Sequence, residues 1–117
     1  MIKSGHIETG RNGEKRARDY LISVGYEILE MNFRSGREEI DIIARDKEDI
    51  VFVEVKTRRD YRCGPPAAAV HWKKRERLRR VAGVYLAMKG YLDCPARFDI
   101  VAITLKNDSI NLIQGAF

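Results

Sequence analysis

Asp41, Glu54 and Lys56 interrupt the most apolar stretch of this 117-residue chain, the segment EEIDIIARDKEDIVFVEVKTR from Glu38 to Arg58. Asp46-Lys47-Glu48-Asp49 within it reads as a turn joining two strands. Symmetric pairing about that turn makes partner numbers sum to 95, which sets Asp41 opposite Glu54. Opposite residues stand about 4.5–5.5 Å apart at Cβ, and alternation puts Lys56 on the face of Glu54. Two carboxylates that close repel, and a divalent cation between them reverses the sign. Hard oxygen ligands select Mg²⁺, Mn²⁺ or Ca²⁺ rather than zinc, and Mg²⁺ commonly shares its shell between carboxylates, water and a substrate phosphate. The trio therefore describes a phosphodiester site. The metal polarises the phosphate and acidifies a bound water, and the lysine holds the hydroxide in line or offsets developing charge. The competing reading is a solvated strand end, with Asp41 a coincidence.

The elements that must position these groups are legible in the apolar pattern. Ala17, Leu21 and Val24 recur at helical spacing, with Tyr20 beside them, and predict a helix from about Asn12 to Val24, stopped by Gly25. Strands are predicted over Tyr26–Phe33, Glu39–Ala44 and Ile50–Thr57. The third has Val51, Val53 and Val55 on one face and Ile50 and Phe52 on the other, the pattern of a central strand. Residues 58–69 hold Gly64, Pro65 and Pro66 and are expected to form a mobile loop. A second helix is expected from Val70 to Lys89, with Leu78, Val81, Ala82, Tyr85 and Leu86 on one face. Strands over Phe98–Leu105 and Ile110–Ile113 follow. The order αβββαββ predicts a single α/β domain over residues 1–117, built on one central mixed sheet flanked by helices, with residues 1–10 loose.

Net charge is +5, and hydrophobic residues make up 44% of the chain, enough for a core and too many for intrinsic disorder. A basic balance suits an anionic partner such as nucleic acid. No run approaches a membrane span, no helix reads as an amphipathic anchor, and MIKSGHIETGRNGEKR lacks the apolar region of a secretory signal. Cys63 and Cys94 are far apart in sequence and no histidine stands at ligand spacing, which argues against zinc and for a reduced, cytoplasmic protein. Lys73, Lys74, Arg75, Arg77, Arg79 and Arg80 place six positive charges in eight residues. Such a run is commonly a solvated face; beside a metal-type site it reads as a phosphate-binding surface, with salt-sensitive, sequence-independent affinity. Trp72 is read as capping the core rather than stacking on a base, and Asp99 as structural, paired with Arg97 or another basic group.

Asp41 followed by twelve residues and Glu54-Val55-Lys56 resembles the PD-(D/E)-x-K nuclease superfamily. The segments GRNGEKRARDYLISVGYEILEMNFR, EIDIIARD, VFVEVKTR, GPPAAAV with its following lysines, and RFDIVAI together resemble the YraN-type family of small bacterial proteins within it. The bare D…ExK pattern is weakly specific; the ordered set, from about Gly10 to Ile103, is highly specific. The resemblance implies a restriction-endonuclease-like fold and a site similar to that of archaeal Holliday-junction resolvases. In that site Glu14 joins Asp41, Glu54 and Lys56 as catalytic residues. Glu14, Asp41, Glu54 and the backbone carbonyl of Val55 hold one or two Mg²⁺ or Mn²⁺ ions. The sequence agrees independently at Glu14, which continues the apolar stripe of Ala17, Leu21 and Val24. The family pattern also places a lysine at Lys74, read with Lys73, Arg75 and Arg77 as contacting nucleic-acid phosphate. Glu38 departs from the usual glycine, an added carboxylate that either crowds the metal or points to solvent.

Two functional readings follow. One is a metal-dependent nuclease acting on DNA, including branched DNA, for which paired cuts would call for a homodimer. The other is a catalytically inactive nucleic-acid-binding module on the same fold. Fold alone does not choose between them.

Overall fold

The computed structural model describes residues 2–62, 64–66 and 70–117 and has the expected order αβββαββ. Helix α1 (Ile2–Ser23) is followed by β1 (Glu27–Ser35), β2 (Glu38–Asp46), β3 (Asp49–Arg58), helix α2 (Trp72–Lys89), β4 (Ala96–Thr104) and β5 (Ser109–Ile113). The strands form one sheet in the order β1-β2-β3-β4-β5. All neighbours are antiparallel except β3 and β4, which α2 joins by a parallel crossover. The sheet is therefore mixed, and β3, with its apolar residues on both faces, lies at its centre.

The two helices cover opposite faces. Ala17 and Leu21 of α1 pack with Ile42, Ala44, Val51, Val53, Val101 and Ile103. Leu78, Val81, Ala82 and Tyr85 of α2 pack with Phe33, Ile40, Ile43, Ile50, Phe52 and Ile100. Tyr85 meets Phe33 and Phe52 edge-on, with ring centroids 5.2 and 6.0 Å apart, a favoured aromatic geometry. The α2 helix is capped at both ends: the His71 side chain accepts from the Lys73 amide, and Gly90 closes the last turn with φ 73°.

Three expectations are corrected. The helix expected from about Asn12 begins at Ile2. Apolar periodicity marks only the part of a helix that packs, and propagation beyond it needs no stripe. Val24 lies past the end of α1 and is exposed, because the chain reverses at Gly25 (φ 101°) and hands the buried position to Tyr26. Trp72 does not cap the core; it is 63% exposed at the head of α2. Val70, just before the helix, fills that core instead. Of the loop expected to be mobile, residues 63 and 67–69 lie outside the described residues.

Candidate active site

The β2–β3 ladder has the expected register, from Asp46↔Asp49 to Ile42↔Val53, and stops there. Asp41 and Glu54, one step further, are not ladder partners. Instead Asp41 turns its side chain into the opening between the strands, and its Oδ2 accepts the backbone N–H of Val55 at 2.8 Å. A carboxylate thus takes the place of a backbone carbonyl and satisfies a donor that the divergence would leave bare.

The cause is a coordinated change of face. Strict alternation would put Ile40 and Ile42 on one side, yet Ile40 packs under α2 and Ile42 under α1. On β1, Met31 lies on the α1 side and Phe33 on the α2 side. The pairs Met31↔Ile42 and Phe33↔Ile40 bracket Asn32 and Asp41, so both strands switch sides at one level. Asn32 takes the turn in the left-handed region, φ 55°, a conformation that asparagine tolerates better than most side chains. The switch aims Asp41 at the gap and leaves Asn32 facing α1.

From the α1 side comes Glu14. Asn32 Nδ2 donates to Glu14 Oε2 at 2.7 Å and to Glu39 Oε1 at 2.5 Å. Arg34 braces the other oxygen of Glu39 at 2.8 Å. Glu14, Glu39 and Asp41 then each present a carboxylate oxygen within 4.8 Å of one another. This is the one convergent set of His, Cys, Asp or Glu side chains among the described residues, and its donors are all hard oxygens. The set suits Mg²⁺ or Mn²⁺ and not zinc.

From the α2 side comes Glu54, only 6% exposed. Its Oε1 receives Lys74 Nζ at 2.8 Å and Lys56 Nζ at 3.4 Å. Burial, and then the charge of Glu54, push the Asp41 carboxyl up to about 7; the Val55 N–H works against them and Glu14 adds to the rise. Burial acts to lower Lys74, but its hydrogen bond to Glu54 and the charges of Glu54 and Asp41 outweigh that and hold the ammonium above its ordinary value.

Glu14, Asp41, Glu54 and Lys56 are thus gathered around one opening in the sheet, with Lys74 inside the cluster. Val55 enters through its N–H to Asp41. The other basic candidates are spread out. Lys73 is exposed, with its ammonium 5.7 Å from the Trp72 ring. Arg75 donates to the Val70 carbonyl at 2.8 Å and lies over Phe117. Arg77 stands 3.7 Å from Glu38. Glu38 therefore neither crowds the carboxylates nor points free; it faces α2. Sequence reasoning missed Glu39 and Asn32. Their signals were a second carboxylate two residues before Asp41, and an asparagine inside a strand, where it is depleted.

Gly13 controls how closely α1 approaches β3. A Cβ built there would lie 2.6 Å from Thr57 Oγ1. Gly13→Ala is expected to lower thermal stability by about 1–2 kcal/mol, overpacking outweighing the gain in helix propensity, and to displace Glu14. Thr57→Ala in the same chain removes the clash and should restore most of the loss. Thermal unfolding of the single and double variants checks this, and additive losses would disprove the contact.

The family model for UPF0102, "Uncharacterised protein family UPF0102", matches residues 13–103. Similar curated proteins each bear the name "UPF0102 protein". The one from Caldicellulosiruptor saccharolyticus is 44% identical over 94% of this chain and 97% of its own length. That from Geotalea uraniireducens is 49% identical over 90% and 83%, and that from Syntrophus aciditrophicus 46% over 96% and 90%. The matched span begins one residue before Glu14 and takes in Asp41, Glu54, Lys56 and Lys74.

Proposed function

The chain belongs to uncharacterised protein family UPF0102, the YraN-type family, and from that premise we propose that it is a metal-dependent nuclease hydrolysing phosphodiester bonds of DNA. One observation carries the reading: three carboxylate oxygens from α1 and β2 converge within 4.8 Å beside the buried Glu54. Acidic groups that close, beside a buried carboxylate, are costly without a cation. The donors fit Mg²⁺ or Mn²⁺. Glu14, Asp41 and Glu39 would hold it, with Glu54 and the Val55 carbonyl as the further donors that the resemblance implies. When bound, the ion supplies a Lewis acid for the phosphate and lowers the pKa of a water.

The protein's own groups divide the remaining work. Asp41, with its carboxyl near 7, releases its proton as pH rises through neutrality and presents an anion to the site. Lys56 holds its ammonium 3.4 Å from Glu54 Oε1, from where it would orient the attacking water or offset charge developing on the phosphate. Lys74 anchors Glu54 and keeps its carboxylate in one place. Asn32 fixes Glu14 and Glu39 from the other side. Lys73 and Arg77 lie on α2 where backbone phosphates would approach.

A second reading has its own support. Glu54 already holds two lysine ammonium groups, so its charge is more than offset without a cation, as a metal-free binding module requires. Cleavage decides between them. Wild type and Asp41→Ala are incubated with labelled single-stranded, duplex, flap and four-way-junction DNA and with RNA, in Mg²⁺, Mn²⁺ or EDTA. Cutting by wild type alone, lost in EDTA, is expected and names the substrate shape. Binding by both proteins with no cutting in any metal would replace the nuclease by the binding module.

No helix among the described residues is long and apolar enough to cross a membrane.

A further inference from the structure

We propose that the site takes an unpaired strand, whose bases stack on the exposed rings of Trp72 and Tyr61. The inference rests on the nucleic-acid reading above and adds the class of substrate to it.

Trp72 and Tyr61 are the two exposed aromatic side chains among the described residues, 63% and 51% open to solvent. Leaving rings of this size in water forgoes burial that the core gives to Phe33, Phe52 and Tyr85. Their places in the chain are not scattered. Tyr61 follows the end of β3, the strand of Glu54 and Lys56. Trp72 opens α2, two residues before Lys74, whose ammonium sits on Glu54. The rings thus stand on the two segments that lead out of and back into the candidate site.

Each ring has a cation over it, and Tyr61 is also held by hydrogen bonds. The Tyr61 hydroxyl accepts from Asn107 Nδ2 at 2.7 Å and meets Ser109 Oγ at 3.2 Å. The Arg58 guanidinium lies 4.9 Å from its centroid and is itself anchored on Thr104 and Gly64. Trp72 lies against His71, with centroids 5.8 Å apart, and Lys73 Nζ is 5.7 Å from its ring. With a cation over each ring, the solvent-exposed remainder of the ring is left to take a base, and the charge adds attraction for the phosphate backbone. A duplex keeps its bases stacked on each other and has none to lend, so such platforms favour single strands, flaps and frayed ends.

Trp72 is the sole tryptophan, so its fluorescence reports on the proposed platform directly. The full chain is titrated in EDTA, where no metal-dependent cutting occurs, with single-stranded dT and rU oligomers of about 15 nucleotides and a blunt duplex of equal length. Both single strands, or one of them, should quench Trp72 and bind at least about fivefold tighter than the duplex, and the preferred one names the sugar. Trp72→Ala and Tyr61→Ala should each weaken single-strand binding by about 5- to 100-fold and leave duplex binding within about twofold, while Trp72→Phe retains most of the affinity. Thermal unfolding of Trp72→Ala should match wild type, as its ring is largely exposed. Equal affinity for single strand and duplex, or an unquenched Trp72 with Trp72→Ala binding as wild type does, would overturn the proposal. If such a protein still cuts DNA, the platforms fall and the nuclease stands. If the rings prove necessary for binding and no metal supports cutting, hydrolysis falls and the platforms stand. No binding of any nucleic acid removes both.

Discussion

Asp41→Asn is expected to make the metal-free protein more stable at pH 8 while abolishing metal binding and cleavage. Burial and Glu54 lift the Asp41 carboxyl to about 7, from an ordinary 3.8. An acid whose folded pKa lies above its unfolded one is penalised when it ionises in the folded state. The penalty is absent below the unfolded value, grows as pH rises from 3.8, and is complete above about 7. Asparagine carries no charge at any pH, and its amide oxygen can keep the hydrogen bond from Val55 that alanine would lose. The variant should therefore gain about 2 kcal/mol over wild type at pH 8 in EDTA, several degrees in Tm, and progressively less toward pH 5. Added Mg²⁺ or Mn²⁺ should raise the Tm of wild type and leave the variant unmoved. Wild-type metal affinity should also climb from pH 6 to pH 8, since binding competes with the proton on Asp41. Thermal melts of both proteins across pH, with and without metal, read all of this. A variant that is less stable than wild type at pH 8, or that still gains from metal, removes Asp41 from the site. The trade of stability for a cluster of like charges is what a functional site demands and a merely structural one would lose.

Arg97→Met should cause the largest loss of stability, at the opposite end of the β2–β3 hairpin. Asp99 is fully buried (0% exposed) and holds Arg97 Nε at 3.1 Å, Tyr26 Oη at 2.8 Å and the Gly115 N–H at 3.0 Å. Arg97 also reaches Asp46 at 2.7 Å and Asp49 at 2.5 Å across the hairpin turn. One guanidinium fork thus ties β4 to the ends of β2 and β3, to the start of β1 through Tyr26, and to the chain after β5. Burial acts to lower Arg97, but its hydrogen bonds to Asp99 and Asp46 and the charge of Asp99 hold it well above its ordinary value. Methionine matches the aliphatic stem and leaves three carboxylates without their cation. Removing one partner from a buried charge network costs about 3–5 kcal/mol. Arg97→Lys should recover only part, because an ammonium cannot fork to three acceptors. Urea unfolding at pH 7 tests the network, and a loss below about 1 kcal/mol would show that it contributes nothing beyond a surface pair. Cleavage by the folded fraction should be unchanged, since Arg97 touches none of the groups around Asp41.

Much of this architecture was legible along the chain. The order αβββαββ, the central place of β3 and the hairpin register all follow from period and turn chemistry, because side-chain alternation and loop residues are local properties. The pairing of Asp99 with Arg97 was legible too: a carboxylate inside an apolar strand needs a cation, and one stood two residues away. The candidate site was legible in part. Asp41, Glu54 and Lys56 announce themselves by interrupting apolar runs, and Glu14 by continuing an apolar stripe with a charge.

Other features depended on contacts that no local pattern encodes. The simultaneous change of face at Asn32 and Asp41 belongs to two strands at once, so alternation read along either strand misses it, and with it the entry of Glu39. Trp72 reads as a core residue, but a side chain at the first turn of a helix faces wherever the crossover aims that turn, and here it aims outward. The resemblance marked Lys74 for a phosphate contact, whereas the parallel crossover brings its ammonium onto Glu54. Sequence by itself determined the elements, their order and which residue types could do chemistry, since these rest on propensity and spacing. Tertiary structure decided which carboxylates share an opening, which lysine neutralises them and which aromatic rings stay in water, since electrostatic and packing energies act between atoms that are close in space and distant in the chain.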